Sequence, residues 1–188
     1  MAVADRTHDI LRAACRVIAE RGCDGMRMGD VARAAGVSSA LVHYYFDTRS
    51  ELLRRAFLYS DDQVDVFIQT AVSRCETPRE RLETAVISYL VDDEAVERSW
   101  RIWSEMLRAA LYEPALRPDV EESYRSWVEE VAEHVRACAA GEPIDDAASA
   151  ARLCALVDGL AQQALIGGIG RARARALVRQ AVTIELRT

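Results

Sequence analysis

Apolar residues recur at intervals of three and four positions along most of this chain. The first such run consists of Ile10, Leu11, Ala14, Val17 and Ile18. This spacing places them on one face of an amphipathic α-helix. Only four prolines and nine glycines interrupt the 188 residues, and the abundant alanine, leucine, arginine and glutamate all favour helix. The sequence therefore predicts an all-α fold of about nine helices with short links.

Glycine, proline and hydroxyl residues mark the ends of these helices. Gly36 breaks the pattern, Ser38 and Thr48 stand at N-cap positions, and Pro78 stands at a first-turn position. The Gly141–Pro143 segment separates two later helices. The predicted helices cover about residues 10–22, 29–35, 39–45, 48–67, 78–90, 95–112, 118–140, 145–166 and 174–182.

The hydropathy pattern excludes a membrane protein. The chain has no run of about 18 apolar residues, so the sequence predicts no transmembrane helix. Residues 1–9 are polar and lack the apolar core of a secretion signal. We therefore expect a cytoplasmic protein that makes no membrane contact.

Neither the cysteines nor the histidines form a metal or redox motif. The cysteines are odd in number and none are paired at the two-residue spacing of a zinc site; they are Cys15, Cys23, Cys75, Cys138 and Cys154. The sequence also has no glycine-rich phosphate loop and no nucleophile elbow. It therefore predicts reduced thiols, no metal, no cofactor and no enzymatic activity.

Charge is distributed unevenly between the two ends of the chain. Residues 1–60 contain nine arginines against seven acidic residues, whereas residues 61–188 contain fifteen arginines against twenty-three. A mildly basic N-terminal unit joined to an acidic remainder hints at polyanion contact at one end.

A helix-turn-helix pattern occupies residues 30–46. Ala32 is small where two helices approach closely, and Gly36 stands where the turn between them requires a residue tolerant of positive φ. Val37, Leu41 and Val42 are placed to pack the second helix against the first. The pattern therefore predicts a second helix that enters the major groove of DNA.

The same stretch and its flanks resemble the DNA-binding domain of the tetracycline-repressor (TetR) family. The resemblance rests on Ile10, Ala13, Ala14, Gly22, Val31-Ala32, Ala35-Gly36-Val37-Ser38, Tyr45-Phe46 and Glu51-Leu52-Leu53. It implies a DNA-binding domain over residues 1–47 and a helical domain for ligand binding and dimerisation over residues 48–188. It also implies a homodimer that reads the two half-sites of a palindromic operator in double-stranded DNA.

The phosphates and base edges that DNA exposes indicate a role for each candidate residue of this domain. Phosphate contacts are expected from Arg27, Ser38, Tyr44, Thr48 and Arg49. Base-edge contacts are expected from Ser39, Ala40 and His43. Three of these positions depart from the family pattern, because Arg27 replaces the usual threonine or serine, His43 a frequent tyrosine, and Arg49 the usual lysine.

Residues 100–165 resemble one branch of the family, that of the choline-responsive betaine repressor. The resemblance rests on Trp100, Trp103, Pro114, Leu116, Trp127 and Asp158-Gly159-Leu160. Aromatic residues aligned on two helices here are consistent either with a plain core or with the wall of a ligand pocket. The candidate ligand-binding residues are Asp65, Phe67, Tyr89, Trp100, Trp103, Leu107, Tyr124, Trp127, Asp158 and Gln162.

Asp158 is an acid within an apolar helix, and Gln162 follows one turn later on the same face. A buried acid requires a partner, which is either an arginine of a neighbouring helix or a cation on a ligand. Aromatic rings with carboxylates favour a cationic or amphipathic effector. A lipophilic effector is the next alternative, because the aligned residues are mostly apolar.

The helix from Asp145 is rich in small apolar residues, which suits close helix packing. With the last helix it could form a four-helix dimer interface, although a buried intrachain helix would show the same pattern. The candidate interface residues are Leu153, Leu156, Val157, Leu160, Ala164, Leu177 and Val178.

These observations predict a sequence-specific transcriptional regulator, in the form of a homodimeric repressor that a small molecule releases from its operator. The alternative is a DNA-binding regulator that senses no small molecule and is constitutive or controlled by a protein partner.

Overall fold

Nine α-helices account for most of the chain that the computed structural model describes, which comprises residues 3–139 and 144–187. Two single 3-10 turns, Ser88–Leu90 and Pro114–Leu116, complete the regular structure of these ranges, which contain no strand. The helices are α1 Val3–Gly25, α2 Met28–Ala35, α3 Ser39–Tyr45, α4 Arg49–Val72, α5 Pro78–Ile87, α6 Glu94–Tyr112, α7 Arg117–Cys138, α8 Asp146–Leu165 and α9 Arg171–Glu185. The predicted all-α fold is confirmed.

Two helices, α5 and α8, begin at capping residues that were not among those predicted. The side chain of Thr77 accepts a hydrogen bond from the Glu80 amide, and the Glu80 carboxylate accepts one from the Thr77 amide, with Pro78 in the first turn of α5. Asp145 accepts from the Ala148 amide at 3.0 Å and caps α8. The predicted end at residue 140 and the break at residues 141–143 lie outside the described residues.

The packing divides the chain into two compact units. The first comprises the described residues up to Gln63 together with Arg98–Glu121, and the second comprises Val64–Glu97 together with the described residues from Glu122 onward. The helices α4, α6 and α7 therefore each contribute to both units. The predicted functional division at residues 47 and 48 stays a prediction, because it concerns roles and these units reflect packing.

The first unit brings α1, α2 and α3 into contact through small and apolar side chains. Val31 and Ala32 of α2 are buried, as are Val42 of α3 and Phe46 directly after it. The guanidinium of Arg55 lies 5.1 Å above the Phe46 ring, a cation–π arrangement. These contacts fix the orientation of α3 within the unit.

The second unit is built on the packing of α8 and α9 against each other and against α5. Its core includes Leu82 and Val86 of α5, Leu153 and Val157 of α8, and Val178 of α9, all essentially inaccessible to solvent.

Candidate functional site

The turn between α2 and α3 has a Schellman-type geometry. Gly36 adopts the left-handed conformation, with φ 68° and ψ 32°. Its amide donates to Arg33 O at 3.2 Å, and the Val37 amide donates to Ala32 O at 3.0 Å. The side chain of Ser38 then accepts from the Leu41 amide at 3.2 Å and caps α3. The chain therefore ends α2 and begins α3 within three residues.

Helix α3 presents one polar face to solvent. Ser39, Ala40 and His43 are exposed, and Tyr44 is 78% exposed. The Tyr44 ring packs edge-on against Tyr45, with the ring centroids 5.2 Å apart. The structure thus places all three predicted base-reading residues, together with Tyr44, on one accessible surface. Their contact with DNA stays a prediction.

Two of the predicted phosphate-binding hydroxyls already accept hydrogen bonds from helix amides. Ser38 accepts from Leu41, and Thr48 Oγ1 accepts from the Glu51 amide at 3.1 Å. A hydroxyl has a donor proton in addition to its acceptor lone pairs, so both side chains retain a donor for a phosphate oxygen. Arg27 precedes α2 and is exposed.

Arg49 has a role that sequence reasoning missed. Its Nε donates to Met26 O at 3.1 Å, and its Nη2 donates to Cys23 O. The half-buried guanidinium therefore ties the start of α4 to the turn between α1 and α2. The predicted phosphate contact would have to use the remaining N–H groups. No local motif predicts this role, because the carbonyls lie more than twenty residues earlier in the chain.

Three aromatic residues form a cluster in the second unit. The ring centroids of Tyr89 and Trp127 are 4.9 Å apart, and those of Tyr124 and Trp127 are 5.9 Å apart in an edge-to-face arrangement. Burial raises the pKa of the Tyr124 hydroxyl, and electrostatic interactions with Cys154 and Asp158 raise it further. Asp158 therefore lies within electrostatic range of the cluster.

A second carboxylate near this cluster was missed. Glu130 lies one helical turn after Trp127 on α7, and its Oε1 accepts a hydrogen bond from Gln69 Nε2. Burial raises the pKa of Glu130, which means that its charged form is poorly solvated. Burial is the main cause that raises the pKa of the Cys154 thiol to about 12, and the carboxylates of Glu130 and Asp158 also raise it. The available sequence signal was the spacing of three positions from Trp127, which places Glu130 on the same face of α7.

The other predicted ligand residues are divided between the two units. Trp100 and Trp103 are buried in the first unit, where Trp103 stacks on Phe57 at a centroid distance of 5.9 Å. Leu107 is half-buried in the same unit. The remaining members belong to the second unit, where Asp65 and Phe67 of α4 are exposed and Gln162 of α8 is half-buried.

The predicted dimer residues of α8 and α9 fall into two groups. Leu153, Val157 and Val178 are completely enclosed within the protomer and present no surface to a partner. The half-buried members are Leu156, Leu160, Ala164 and Leu177. An exposed row of small residues at every fourth position of α8 accompanies them, consisting of Ala147, Ala151, Ala155 and Gly159.

An open groove of about 420 Å³ lies elsewhere in the second unit. It is lined mainly by charged side chains and has no aromatic wall; the lining residues are Arg74, Cys75, Glu76, Glu80, Glu83, Thr84, Ile87 and Arg179. It is therefore distinct from the aromatic cluster.

The cysteines are free thiols. Burial is the main cause that raises the pKa of Cys15 and Cys23 to about 12, so both remain protonated and unreactive at neutral pH. Over residues 3–139 and 144–187, no group of histidine, cysteine and acidic side chains has an arrangement that could hold a metal ion. No helix in the same ranges is long and apolar enough to span a bilayer.

Two family models match the chain. The bacterial regulatory proteins of the tetR family match residues 10–56, and the C-terminal domain of BetI-type transcriptional repressors matches residues 78–187. The transcriptional regulator BetI of Agrobacterium fabrum is 32% identical over 189 aligned positions, which cover 97% of this chain and 89% of that protein. The transcriptional regulator PksA of Bacillus subtilis is 26% identical over 86% of this chain and 79% of its own length.

Solved structures share the whole fold. A TetR-family regulator from Rhodococcus sp. superposes with a TM-score of 0.90 at 29% identity, covering 98% of this chain and 100% of that one. A transcriptional regulator from Saccharomonospora viridis, solved in complex with choline, has a TM-score of 0.85 at 26% identity, with 97% of each chain covered.

Proposed function

We propose that this chain is a homodimeric repressor that a small cation releases from a palindromic operator. The chain belongs to the TetR family of DNA-binding transcriptional regulators and carries a BetI-type repressor domain. The chain is a transcriptional regulator and not an enzyme. Its proposed place of action is the cytoplasm, where a bacterial operator lies.

The observation that carries the DNA-binding part is the exposed polar face of α3. A helix that packs through Val42 and presents Ser39, Ala40 and His43 matches the needs of major-groove readout. Hydroxyls at the starts of α3 and α4 flank this helix in the chain. They would fix its register on the phosphates, while the α3 face would select the sequence.

The effector part is supported by the cluster of Tyr89, Tyr124 and Trp127 with two carboxylates in the same unit. Aromatic faces attract a quaternary ammonium group through cation–π interaction. Asp158 and Glu130 supply the opposite charge, and a bound cation would offset the unfavourable solvation of Glu130. The choline held by the Saccharomonospora viridis relative has this chemistry.

The dimer part is supported by the surface of α8 and α9. Small residues at every fourth position allow two helices to approach closely, and a two-fold axis would pair the same surface of two protomers. We assign the interface to the accessible Leu156, Leu160, Ala164 and Leu177. Leu153, Val157 and Val178 would support this surface from within the protomer.

Release requires that the effector bind more tightly to the form of the dimer that does not fit the operator. Helix α3 is the proposed recognition helix, the one that enters the major groove. The two recognition helices of a dimer must lie about 34–36 Å apart to enter successive major grooves. An effector that selects a different spacing would lower operator affinity without touching the DNA-binding surface.

A second candidate function has one observation in its favour. Trp100 and Trp103, two of the aromatic residues predicted to line a ligand pocket, are instead buried in the first unit. A regulator without a small-molecule effector, constitutive or controlled by a protein partner, would have its aromatic residues in such a core.

The first experiment is a binding titration of the purified protein on the DNA upstream of its own gene at several salt concentrations. Repression predicts tight binding that resists competitor DNA and weakens steeply with salt, because phosphate contacts release counterions.

Choline and other quaternary amines, and then polyamines, are added to the preformed complex. Release by one of them, lost in Trp127→Ala, supports the cation effector, whereas tight binding that survives all of them favours the second candidate. Binding no better than to random DNA, both there and after selection of an operator from random sequence, rejects the repressor.

A further inference from the structure

The first unit contains a carboxylate that binds a break in helix α1. The helix is interrupted at Gly22, whose φ of 73° and ψ of 169° are not helical. The next amide, that of Cys23, donates to Glu105 Oε2 of α6 at 2.8 Å. A Cβ atom at position 22 would lie 2.7 Å from the same oxygen. Glycine therefore provides both the backbone conformation and the space that this contact requires.

The Glu105 carboxylate is itself held in place. Arg108, one turn later on α6, places Nη2 3.3 Å from Glu105 Oε2 and 2.8 Å from Asp24 Oδ2. Arg49, the first residue of α4, donates to the carbonyls of Cys23 and Met26. The end of α1 beyond the break at Gly22, together with Met26, is thus bound through the Cys23 amide by α6 and through the Cys23 and Met26 carbonyls by α4. It leads directly into the helix-turn-helix.

The beginning of α6 is bound to a different element. Within the second unit, Glu97 Oε2 accepts from Arg171 Nη2 of α9 at 2.8 Å, and Arg171 also donates to Val91 O at 3.3 Å. Helix α6 therefore contributes Glu97 to the second unit and Glu105 to the first.

We propose that Glu105 is a positioning residue for operator binding, through which α6 fixes the turn at Cys23 and thereby the orientation of the helix-turn-helix. This inference rests on the proposed DNA-binding function. Specific binding requires both recognition helices of a dimer to fit their half-sites, whereas nonspecific binding requires only the basic surface. Loss of the Glu105 contact therefore weakens the first and leaves the second unchanged.

A set of three variants tests this role. Glu105→Ala removes the acceptor of the Cys23 amide. Glu105→Gln keeps an acceptor oxygen but removes the charge that faces Arg108. Glu122→Ala is the matched control, because Glu122 also accepts from an arginine three positions later on an exposed helix surface, with Arg125 Nη2 at 2.6 Å from Glu122 Oε1.

Operator affinity and nonspecific DNA affinity are measured for each variant, together with hydrogen exchange of the amides of residues 23–46. For Glu105→Ala we expect operator affinity to fall roughly tenfold, the scale of one lost hydrogen bond to a charged group. We expect unchanged nonspecific affinity, faster exchange at Cys23 and through α2, and substantial recovery in Glu105→Gln. The control keeps wild-type values throughout.

Two results overturn the proposal. One is wild-type operator affinity in Glu105→Ala. The other is an equal loss of operator affinity and nonspecific DNA affinity in Glu105→Ala, accompanied by a lower melting temperature. That result would mean that the substitution destabilises the whole protein. If the wild-type protein binds no operator, the proposed function fails independently. Hydrogen exchange then decides, because unchanged protection of residues 23–46 in Glu105→Ala also overturns the positioning role.

Discussion

Arg152 of α8 donates two hydrogen bonds to the carboxylate of Glu185 at the end of α9. Its Nε lies 2.8 Å from Oε1 and its Nη2 lies 2.6 Å from Oε2. The Glu185 side chain is only 12% exposed, while that of Arg152 is 57% exposed. The pair connects the two helices assigned to the dimer interface and lowers the pKa of Glu185, chiefly through the hydrogen bonds from Arg152.

This pair predicts an acid-dependent contribution to stability. An acid whose pKa is lowered in the folded state stabilises the protein above its unfolded-state pKa, and that stabilisation is lost as the pH falls through the folded-state value. We expect Glu185→Gln to lower the melting temperature at pH 7 and to have progressively less effect as the pH is reduced from about 5 to 3, the range in which an ordinary glutamate becomes protonated. Thermal unfolding of both proteins across this range measures the difference. A constant difference at all pH values would contradict the electrostatic origin.

The two glycines with positive φ in the first unit are expected to respond differently to alanine. At Gly36 no atom lies within 4 Å of the place that an added Cβ would occupy, so Gly36→Ala loses only the backbone preference, about 1 kcal/mol of unfolding free energy. At Gly22 the backbone has φ 73° and ψ 169°, a conformation that essentially only glycine adopts. Gly22→Ala also adds a close contact of 2.7 Å with Glu105 Oε2, so it is expected to destabilise more. Chemical denaturation measures both.

Gly29→Ala is the control for these substitutions, because its Cβ would meet only Ser39 Oγ at 3.9 Å, an ordinary contact. Because Gly29 lies within α2, where alanine favours the helix over glycine, we expect no loss of stability and a gain of up to about 1 kcal/mol of unfolding free energy. Equal losses in Gly36→Ala and Gly22→Ala would contradict the additional cost expected at position 22 from its backbone conformation and the Glu105 contact.

Glu130 predicts the opposite pH dependence to Glu185. Burial raises its pKa, so the folded state binds the proton more tightly than the unfolded state, and stability is lost as the pH rises through the folded-state pKa. Glu130→Gln, which keeps a neutral side chain beside Gln69, is therefore expected to raise the melting temperature at pH 7 and to have no effect near pH 4. Glu121→Gln on the exposed surface of α7 is the control. A lower melting temperature at pH 7 would contradict a poorly solvated carboxylate at position 130.

The helices and their ends were predictable because local residues determine them. The turn at Gly36 needs one left-handed residue, the caps at Ser38 and Thr48 need one oxygen each, and the apolar spacing selects the buried face. These requirements are met within a few positions along the chain, so the sequence displays them directly.

The candidate sites were less predictable because their contacts connect distant parts of the chain. Spacing places Trp103 and Trp127 on apolar helix faces, but it does not reveal that they belong to different units. In the same way, a periodic pattern does not distinguish Val157, enclosed by the protomer's own helices, from Leu156 beside it. The carbonyls that bind Arg49 and the amide that binds Glu105 belong to the backbone and have no sequence signal.

The recognition helix predicts separable effects on specificity and affinity. His43 is exposed on the α3 face assigned to base edges, so His43→Ala is expected to cost about 1–3 kcal/mol of discrimination at one operator position. Arg27 precedes α2 and is assigned to a phosphate, so Arg27→Ala is expected to weaken binding to all sequences and to reduce the slope of log affinity against log salt by about 1.

Titrations on the operator, on single-base variants and on random DNA at several salt concentrations separate the two effects. Arg74→Ala, an exposed arginine of the second unit, serves as the charge control. A change of base preference in Arg27→Ala, or a uniform loss in His43→Ala, would reverse the assigned roles.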